Sequence, residues 1–405
     1  MKIAERLENL PTYIFATLGK RIAALRAEGV DVIRLDIGSP DMPPPAVVID
    51  TLSAAARQPE NHGYAGFYGD PEFRQAVAHF YHRRFGVELD PDNEVLALIG
   101  SKEGIQHLPT AFLDRGSVVL VPNPGYPTYS NPAVLVGAEL YQMPLLRENG
   151  FLPDFDTIPA EVLRKARVLW LNYPNNPTSA IADLDFLVEA VAFVRQHELL
   201  LAYDNPYSEV IWDGSRPPSI LQVPGAKDVA IEFNSLSKLA NMAGWRVGMV
   251  VGNAEAISAI ARVKTNSDTG IFRPIQRAAA VALDLPASWY TERNAVYQQR
   301  REVVTRALDR MNLWYAPYEA TLYVWAEIPP QFASSAVFAQ ELLEEAGVSV
   351  SPGSAFGEYG EGYVRISLVR PQELLAEALE RWERWLLRKV LRLESSRVVE
   401  TSNGT

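Results

Sequence analysis

The sequence predicts an α/β fold: a large domain with a mainly parallel, seven-stranded sheet covered by helices, plus a smaller α+β domain formed by the two chain ends. The chain has 405 residues, enough for two or more domains with sizeable cores. From Val95 to Val251, short apolar runs are mostly separated by segments of helix length, which is typical of parallel strands joined by crossover helices. After Trp289 a long helical pattern is followed by alternating shorter helices and strands, which predicts the second domain.

The elements of the large domain follow one another in order. An alanine-rich apolar pattern over residues 46–57 predicts a helix, and Asp70 with Pro71 marks the start of the next one. The predicted strands are Val95–Ile99, Val118–Val121, Glu139–Met143, Val168–Leu171, Leu199–Tyr203, Val229–Phe233 and Val247–Val251. In such a sheet, ligands bind beyond the carboxyl ends of the strands.

The remaining elements belong to the chain ends. A helical pattern before Gly29 leads into a predicted strand, Val32–Ile37, which ends in a Gly-Ser-Pro turn. The C-terminal part predicts a helix at Trp289–Met311, a strand at Leu322–Ile328, a helix at Ala336–Ala346, strands at Val348–Ser351 and Gly362–Val369, and a final helix.

These patterns divide the chain into four parts. Residues 1–45 are predicted to be an N-terminal segment that joins the small domain, 46–285 the large domain, 286–394 the small C-terminal domain and 395–405 a disordered polar tail. The boundaries follow the change from alternating strands and helices to the long helical pattern.

Composition excludes several classes of function. The net charge of −11 and the scattered basic residues argue against binding to nucleic acid. The absence of cysteine excludes disulfides, thiolate metal sites and a cysteine nucleophile. The N-terminus lacks the apolar core of a signal peptide and no apolar run is long enough to span a membrane, so we expect a cytoplasmic protein with no membrane partner.

The stretch around Lys238 provides the first indication of chemistry. Lys238 follows Ser235 and Ser237, shortly after the apolar run Val229–Phe233, and Arg246 follows eight residues later. Desolvation beside a cation lowers the pKa of an amine, which favours Schiff-base formation, and hydroxyls with an arginine form a binding site for a phosphate dianion. These are the two attachment points that pyridoxal 5′-phosphate (PLP) requires. An incidental lysine in a serine-rich loop is the alternative interpretation.

Four other strand ends place suitable residues at the same edge of the predicted sheet. Ser101 can cap a helix whose N–H groups face a phosphate, and Tyr126 lies in a proline-rich loop from which it could stack on a pyridine ring. Asn176 could donate to a phenolate oxygen, and Asp204, after a buried strand, needs a compensating cation such as a pyridinium. Three of them have a structural alternative: an ordinary N-cap for Ser101, a rigid loop for Tyr126, and an acid that pairs with an arginine or caps a helix for Asp204.

Together these residues resemble a known family. Asn176-Pro177-Thr178, Asp204 with Tyr207, Ser235-x-Ser237-Lys238 and Arg246 occur in the order and spacing of fold type I PLP enzymes, and the chain resembles the class I/II aminotransferases from about Tyr13 to about Arg392. It is most similar to the subgroup that contains LL-diaminopimelate, alanine, aromatic and aspartate aminotransferases. Each motif is weak alone, but their joint order is specific.

The resemblance implies a role for each motif residue. Lys238 would bind PLP as a Schiff base and, once released by the incoming amino acid, move the 1,3-shifted proton between the substrate Cα and the cofactor. Asp204 would keep the pyridine nitrogen protonated, and Tyr207 would hydrogen-bond the ring oxygen. The other implied cofactor contacts are Ser101, Lys102, Glu103, Tyr126, Asn176, Ser235, Ser237 and Arg246, with Tyr64 reaching in from the partner subunit of a homodimer.

The family pattern also implies a substrate site for an L-amino acid and a 2-oxo acid. Arg365 would hold the α-carboxylate as a bidentate fork, with help from Gly38 and Asn176, although a strand arginine is more often solvent-exposed. Tyr13, in the N-terminal segment, would close over the site. No metal ligand set is predicted.

Two alternatives to transamination remain open at this point: a PLP-dependent C–S lyase on the same fold, and a non-catalytic PLP-binding regulator. The side-chain specificity is also open. Arg273 and Lys264 are candidates for contacts with a distal carboxylate, but surface charge is the simpler interpretation of both.

Overall fold

The computed structural model describes residues 2–8, 10 and 14–402, and their side chains except those of residues 15, 390 and 392–402. The chain divides into two compact units. The first unit comprises Met1–Pro11, Ser39–Asn294 and Tyr318–Thr321. The second unit comprises Thr12–Gly38, Ala295–Pro317 and Leu322–Thr405.

Strands of the structure are numbered in chain order. They are β1 (Ile33–Arg34), β2 (Val95–Leu98), β3 (Val118–Asn123), β4 (Glu139–Pro144), β5 (Ala166–Asn172), β6 (Leu200–Asp204), β7 (Ala230–Ser235), β8 (Gly248–Gly252), β9 (Tyr323–Glu327), β10 (Val348–Ser349), β11 (Ser351–Pro352) and β12 (Tyr363–Ser367). All seven predicted strands of the large domain are present, each within two residues of its predicted ends.

Helices are numbered in the same way. They are α1 (Ile14–Ala27), α2 (Ala46–Ala56), α3 (Pro71–Phe85), α4 (Ser101–Phe112), α5 (Asn131–Val136), α6 (Ala160–Lys165), α7 (Leu184–Gln196), α8 (Leu236–Leu239), α9 (Ala254–Thr265), α10 (Arg273–Leu283), α11 (Ala287–Arg310), α12 (Ser335–Ala346) and α13 (Gln372–Ser402). Within the described residues, no helix is long and apolar enough to cross a membrane.

The first unit is built on a seven-stranded sheet in the order β2-β8-β7-β6-β5-β3-β4. Five of these strands, from β7 to β4 in that order, are parallel, and β8 runs antiparallel to both β2 and β7. The mainly parallel α/β fold is therefore confirmed. Because β8 is inserted in the opposite direction, its first residue, Gly248, lies opposite Leu98 and Ser235 near the ends of β2 and β7.

The core of this unit explains why the strand sequences are apolar throughout. One buried cluster joins α4 and α9 to the sheet through residues such as Leu98, Ile105, Trp170, Phe233 and Ile260. Both faces of the central strands are covered, so every residue of β5 and β6 is buried except Arg167 and Leu200, near the strand starts. The sheet is a rigid base for the loops at its carboxyl edge.

The second unit contains two small sheets. In one, β1 pairs in parallel with β10, and in the other β12 lies between β11 and β9 in antiparallel order. Two predictions change here. The strand expected over 32–37 pairs only at Ile33–Arg34, and the strand expected over 348–351 is divided after Ser349, because its two halves pair with different sheets.

The final helix, α13, is longer than its apolar stripe indicates. It continues to Ser402 and so includes residues 395–402, for which polar composition predicted disorder. Elongating an existing helix adds one hydrogen bond per residue without a new nucleus, so a polar sequence can extend it. Residues 403–405 lie outside the described part of the chain.

Candidate active site

The carboxyl edge of the large sheet brings together the predicted residues of the first unit. Strands β5, β6 and β7 are neighbours, with Asn172 opposite Asp204 and Asp204 opposite Phe233. The loops that leave these strands contain Asn176, Tyr207 and the Lys238 turn, as the spacing of the motifs along the sequence predicted. The parallel register therefore accounts for the grouping of residues far apart in sequence.

Asp204 is a buried carboxyl group at the end of β6. Its Oδ2 accepts a 2.6 Å hydrogen bond from the phenol of Tyr129, whereas Oδ1 is buried without a donor among the described residues. Burial raises the pKa of Asp204 to about 7, although the hydrogen bond from Tyr129 opposes the shift. A cationic N–H group placed at Oδ1 would satisfy this oxygen and stabilise the ionised carboxylate.

The sequence did not predict a role for Tyr129. Its ring stacks on Trp170, with ring centroids 4.8 Å apart, and the half-buried Tyr126 contacts it edge to face. The only sequence signal was its position three residues after Tyr126 in the same loop. Tyr126 is therefore held beside the group that binds Asp204, and its stacking on a cofactor remains a prediction.

Asn176 is linked to Asp204 by a chain of hydrogen bonds. The backbone N–H of Asn176 donates to Asn172 Oδ1, at 2.9 Å, and Asn172 Nδ2 donates to the carbonyl of Asp204, at 2.8 Å. Both asparagines are buried. Tyr207, buried three residues after Asp204, completes this group.

Lys238 lies in α8, a single helical turn directly after β7. Ser235 is the N-cap, and its hydroxyl accepts a hydrogen bond from the N–H of Ser237 at 3.2 Å. The hydroxyl of Ser237 in turn accepts from Nη1 of Arg246, at 3.5 Å. The two serines and the arginine predicted to bind a phosphate are thus arranged around the lysine turn.

Two glycines permit close packing at this point. A β-carbon on Gly100 would lie 2.8 Å from Cζ of Arg246, and one on Gly248 would lie 2.8 Å from the N–H nitrogen of Ser101. We call Gly100, Ser101, Ser237, Arg246 and Gly248 the anion cradle. It combines hydroxyls, an arginine and the start of α4, and this donor set fits a phosphate dianion.

The structure corrects the predicted role of Ser101 as a helix cap. The N-cap of α4 is Gly100, with a φ of 72°, and Ser101 is the first helical residue. The carboxylate of Glu103, the third residue of α4, accepts a hydrogen bond from the backbone N–H of Ile99. Glycine is favoured at this position because its φ is positive and Arg246 leaves no space for a side chain.

The prediction that Lys264 is a surface charge is wrong. Its side chain is 1% exposed, and its amine lies 2.8 Å from carboxylate oxygens of both Glu103 and Asp268. Burial would raise the pKa of Glu103, but hydrogen bonds that include those from His107 and Lys264 lower it to about 2. The amine thus supplies the positive charge that this acidic cluster needs.

Arg273, the other candidate for distal recognition, is half-buried. It donates to the carbonyl of Glu60 at 2.9 Å and pairs with Asp70 at 3.3 Å. It is therefore not the solvated surface charge that the sequence favoured. Tyr64 is 88% exposed, and the Lys102 side chain is also exposed.

Arg365 and Gly38 lie in the second unit. Arg365 is 4% exposed, with its guanidinium 4.2 Å from the ring centroid of Tyr323 and 4.8 Å from that of Phe356. A β-carbon on Gly38 would lie 2.6 Å from the phenol oxygen of Tyr323. Arg365 is thus buried among aromatic rings rather than on the solvated face. Tyr13 lies outside the described residues.

Comparison with known proteins identifies the family. The model for aminotransferase class I and II matches residues 30–381. The LL-diaminopimelate aminotransferase of Moorella thermoacetica is 49% identical over 386 residues, which are 95% of this chain and 99% of the relative. That of Aquifex aeolicus is 48% identical over 94% of this chain and 98% of the relative. The chain belongs to the class I and II aminotransferases.

Solved structures agree with this assignment. Substrate-bound BacF from Bacillus subtilis superimposes with a TM-score of 0.92, at 38% identity over 95% of this chain and 98% of that one. A probable N-succinyldiaminopimelate aminotransferase from Thermus thermophilus gives a TM-score of 0.86, at 37% identity over 92% of this chain and 99% of that one. The observed fold is therefore that of the aminotransferases.

Membership of the aminotransferase family establishes the reaction class. The protein is a PLP-dependent aminotransferase, an enzyme of amino acid metabolism, as the sequence predicted. This result favours transamination over the lyase and regulator alternatives. The site residues fit the aminotransferase cofactor on independent grounds: the buried Oδ1 of Asp204 would be satisfied by a cationic N–H donor, and the anion cradle suits a phosphate.

Proposed function

We propose that this aminotransferase moves an amino group from LL-diaminopimelate to a 2-oxo acid. The relatives with that name are 47–50% identical to this chain over nearly their whole lengths. The solved aromatic and aspartate aminotransferases that resemble it are less similar, at 33% and 28% identity. LL-diaminopimelate is therefore the best-supported donor.

One observation supports the assignment of the site residues: the buried, half-satisfied carboxyl group of Asp204. When bound, PLP supplies a ring that accepts the electrons left on the substrate Cα after proton loss. Asp204 would hold the ring nitrogen in its protonated form, and Asn176 and Tyr207 would bind the ring oxygen. The anion cradle, with Ser235 and the N–H groups of Lys102 and Glu103, would hold the phosphate.

Lys238 would form the covalent attachment and then act as the proton carrier. Its position on a single turn, directly after the Ser235 cap, fixes its backbone. In the second unit, Arg365 would bind the substrate α-carboxylate, because its guanidinium is fixed between two aromatic rings. Gly38 would add a backbone N–H to the same carboxylate.

The substrate proposal is tested by steady-state kinetics of the PLP-loaded protein. LL-Diaminopimelate, aspartate, phenylalanine, alanine and N-succinyl-LL-diaminopimelate are compared as donors with the same 2-oxo acid. We expect kcat/KM for LL-diaminopimelate to exceed the others by at least about tenfold, which is about 1.4 kcal/mol. A higher value for any other donor would overturn the substrate assignment while leaving the reaction class in place.

The role of Lys238 is tested by absorption spectroscopy. Lys238→Ala should lose the visible band of the bound cofactor and all transamination, whereas Lys165→Ala, which alters a lysine with a 59% exposed side chain, should retain both. Retention of ordinary turnover by Lys238→Ala would remove the central assignment.

The same proposal includes a homodimer in which Tyr64 serves the partner's site, consistent with its 88% exposure in the isolated chain. Lys238→Ala and Tyr64→Ala proteins are unfolded together, refolded and assayed at limiting PLP. Random pairing should restore about a quarter of wild-type activity, because half of the dimers would carry one intact site. No recovery would exclude the shared site. The cytoplasmic location expected from the sequence is part of this proposal.

A further inference from the structure

Arg293 is a buried cation that contacts the lysine turn from the long helix α11. It is 4% exposed. Its Nη1 donates to the carbonyl of Lys238 at 3.0 Å and to that of Leu239 at 2.6 Å. These carbonyls lie at the end of α8, where no further helical N–H group follows to bind them. The guanidinium therefore fixes the backbone at the lysine itself.

The same side chain reaches the loop that follows β6. Nη2 of Arg293 donates to the carbonyl of Glu209, two residues after Tyr207. The next residue, Asn294, donates to the carbonyls of Glu209 at 3.0 Å and Ile211 at 2.7 Å. Its Oδ1 also accepts from Nε of Arg293, at 3.1 Å. Two adjacent residues of one helix thus hold two separate segments, the α8 turn that contains Lys238 and the loop after β6 that contains Tyr207.

The surroundings of Arg293 favour a fixed guanidinium. Its Cζ lies 5.0 Å from the ring centroid of Trp289 and 5.4 Å from that of Tyr290. A planar group can donate in several directions while its face packs on aromatic rings, and a lysine amine cannot reproduce that geometry. Substitution by lysine would keep the charge and lose part of the connection between the loops.

We infer that Arg293 is a positioning residue of the aminotransferase site: with Asn294, it locks the Lys238 turn to the Tyr207 loop. This inference rests on the proposed roles of Lys238 and Tyr207. The amine must reach both the cofactor carbon and the substrate Cα, so a small displacement of its backbone would impair proton transfer more than substrate binding. We therefore assign to Arg293 an effect on kcat rather than on KM.

The chain contains a matched control on the same helix. Arg300 is 6% exposed, donates to the carbonyl of Leu368 at 3.0 Å and lies 5.5 Å from the ring centroid of Tyr297. Its environment is similar, and its hydrogen bond to Leu368 holds neither loop. Arg293→Lys and Arg300→Lys should therefore cause similar losses of thermal stability and differ in their effects on the site.

The first measurement uses the cofactor-free protein, so it does not depend on the proposed function. Backbone hydrogen exchange is followed by mass spectrometry in peptides that cover residues 236–242 and 207–212. We expect exchange in both peptides to become at least about tenfold faster in Arg293→Lys and to remain unchanged in Arg300→Lys. Equal exchange in wild type and Arg293→Lys, or equal acceleration in both variants, would overturn the inference.

The second measurement uses the PLP-loaded protein. In Arg293→Lys, the pH at which the visible band titrates should shift by about half a unit or more, and kcat should fall about tenfold with KM within twofold. Unchanged kcat and titration would overturn the inference. If wild type shows no visible band, the proposed function fails, but the exchange result still decides whether the loops are locked. If Arg293→Lys does not fold, Asn294→Ala should accelerate exchange over 207–212, and its failure to do so would also overturn the inference.

Discussion

The phenol of Tyr129 and the carboxyl group of Asp204 form a buried pair, joined by a 2.6 Å hydrogen bond at the carboxyl edge of the sheet. The pair spans two strand ends, because Tyr129 follows β3 and Asp204 ends β6. It leaves only one oxygen of Asp204 for a ligand. The carboxylate is therefore oriented before any cofactor binds.

Removing this hydroxyl should weaken cofactor binding. Tyr129→Phe would leave Asp204 with neither oxygen satisfied and should cost about 1–3 kcal/mol. We expect the dissociation constant for PLP to rise about tenfold and kcat to fall, as measured by fluorescence titration and steady-state kinetics. Tyr173→Phe is the control, because it removes an equally buried hydroxyl that donates to the carbonyl of Phe151 at 2.7 Å. Equal PLP affinity in Tyr129→Phe and wild type would contradict the orienting role.

Asp204 should also make the cofactor-free protein less stable at higher pH. Burial raises its pKa from 3.8 to about 7, so the folded state binds the proton more tightly than the unfolded state. The contribution of Asp204 to stability is greatest below about pH 4 and is lost as the pH rises to about 7, a loss of about 4 kcal/mol for the full shift. Urea unfolding at about pH 5 and pH 8 should show this decrease, and Asp204→Asn should reduce it.

A second buried acid contributes to the decrease in stability over the same pH range. Burial raises the pKa of Glu232 from 4.5 to about 7, and Tyr81 and Ser219 donate hydrogen bonds to its carboxylate. Glu232→Gln should remove this part of the pH dependence and leave the part due to Asp204. A pH dependence in Asp204→Asn as steep as that of wild type would show that Asp204 is ionised in the folded protein across the range.

A side chain added in the anion cradle should weaken binding of the PLP phosphate. The β-carbon of Gly100→Ala would displace Arg246, and the φ of 72° adds backbone strain. We expect PLP affinity to fall at least about tenfold. Gly116→Ala isolates the strain, since Gly116 has a φ of 85° but no neighbouring heavy atom within 4 Å of its β-carbon. The prediction fails if the two variants lose the same amount of affinity.

Lys264→Met should destabilise the first unit strongly. The substitution would leave the carboxylates of Glu103 and Asp268 near each other without their shared cation, at a cost of about 3–5 kcal/mol. Lys227→Met provides the comparison, because the Lys227 side chain is 36% exposed in its pair with Glu94 and should contribute about 1 kcal/mol or less. Urea unfolding of both variants at neutral pH measures the difference.

Arg365→Lys should mainly weaken substrate binding. A lysine amine cannot form two parallel hydrogen bonds to a carboxylate, so we expect KM for the amino donor to rise about 10- to 100-fold. Arg370→Lys tests for general effects of the change, since Arg370 donates to the carbonyl of Arg34 at 3.2 Å and has no proposed contact with substrate. Similar KM values in wild type and Arg365→Lys would remove Arg365 from the substrate site.

The sequence was informative where side-chain chemistry and strand position coincide. Asp204 ends one apolar strand and Lys238 follows the neighbouring one, so parallel pairing alone was enough to predict that both lie at the same edge of the sheet. The burial of Lys264 was not predicted because a charged residue in a helix gives no local sign that it is buried. One of the carboxylates that pairs with its amine belongs to Glu103, 161 residues away in the sequence. Arg293 was missed for the same reason, since carbonyl groups are its main partners and every residue type has one.

Pairing of β1 with β10 has a consequence for how the chain is made. The adjoining hydrogen bond joins Asp36 to Ser349, 313 residues apart along the chain. In the same unit, Ile22, Leu25 and Val32 pack with Leu343. During synthesis, these N-terminal apolar residues cannot reach their native packing partners until almost the whole polypeptide has left the ribosome. We therefore expect the N-terminal segment to be the part of the nascent chain that depends most on chaperones.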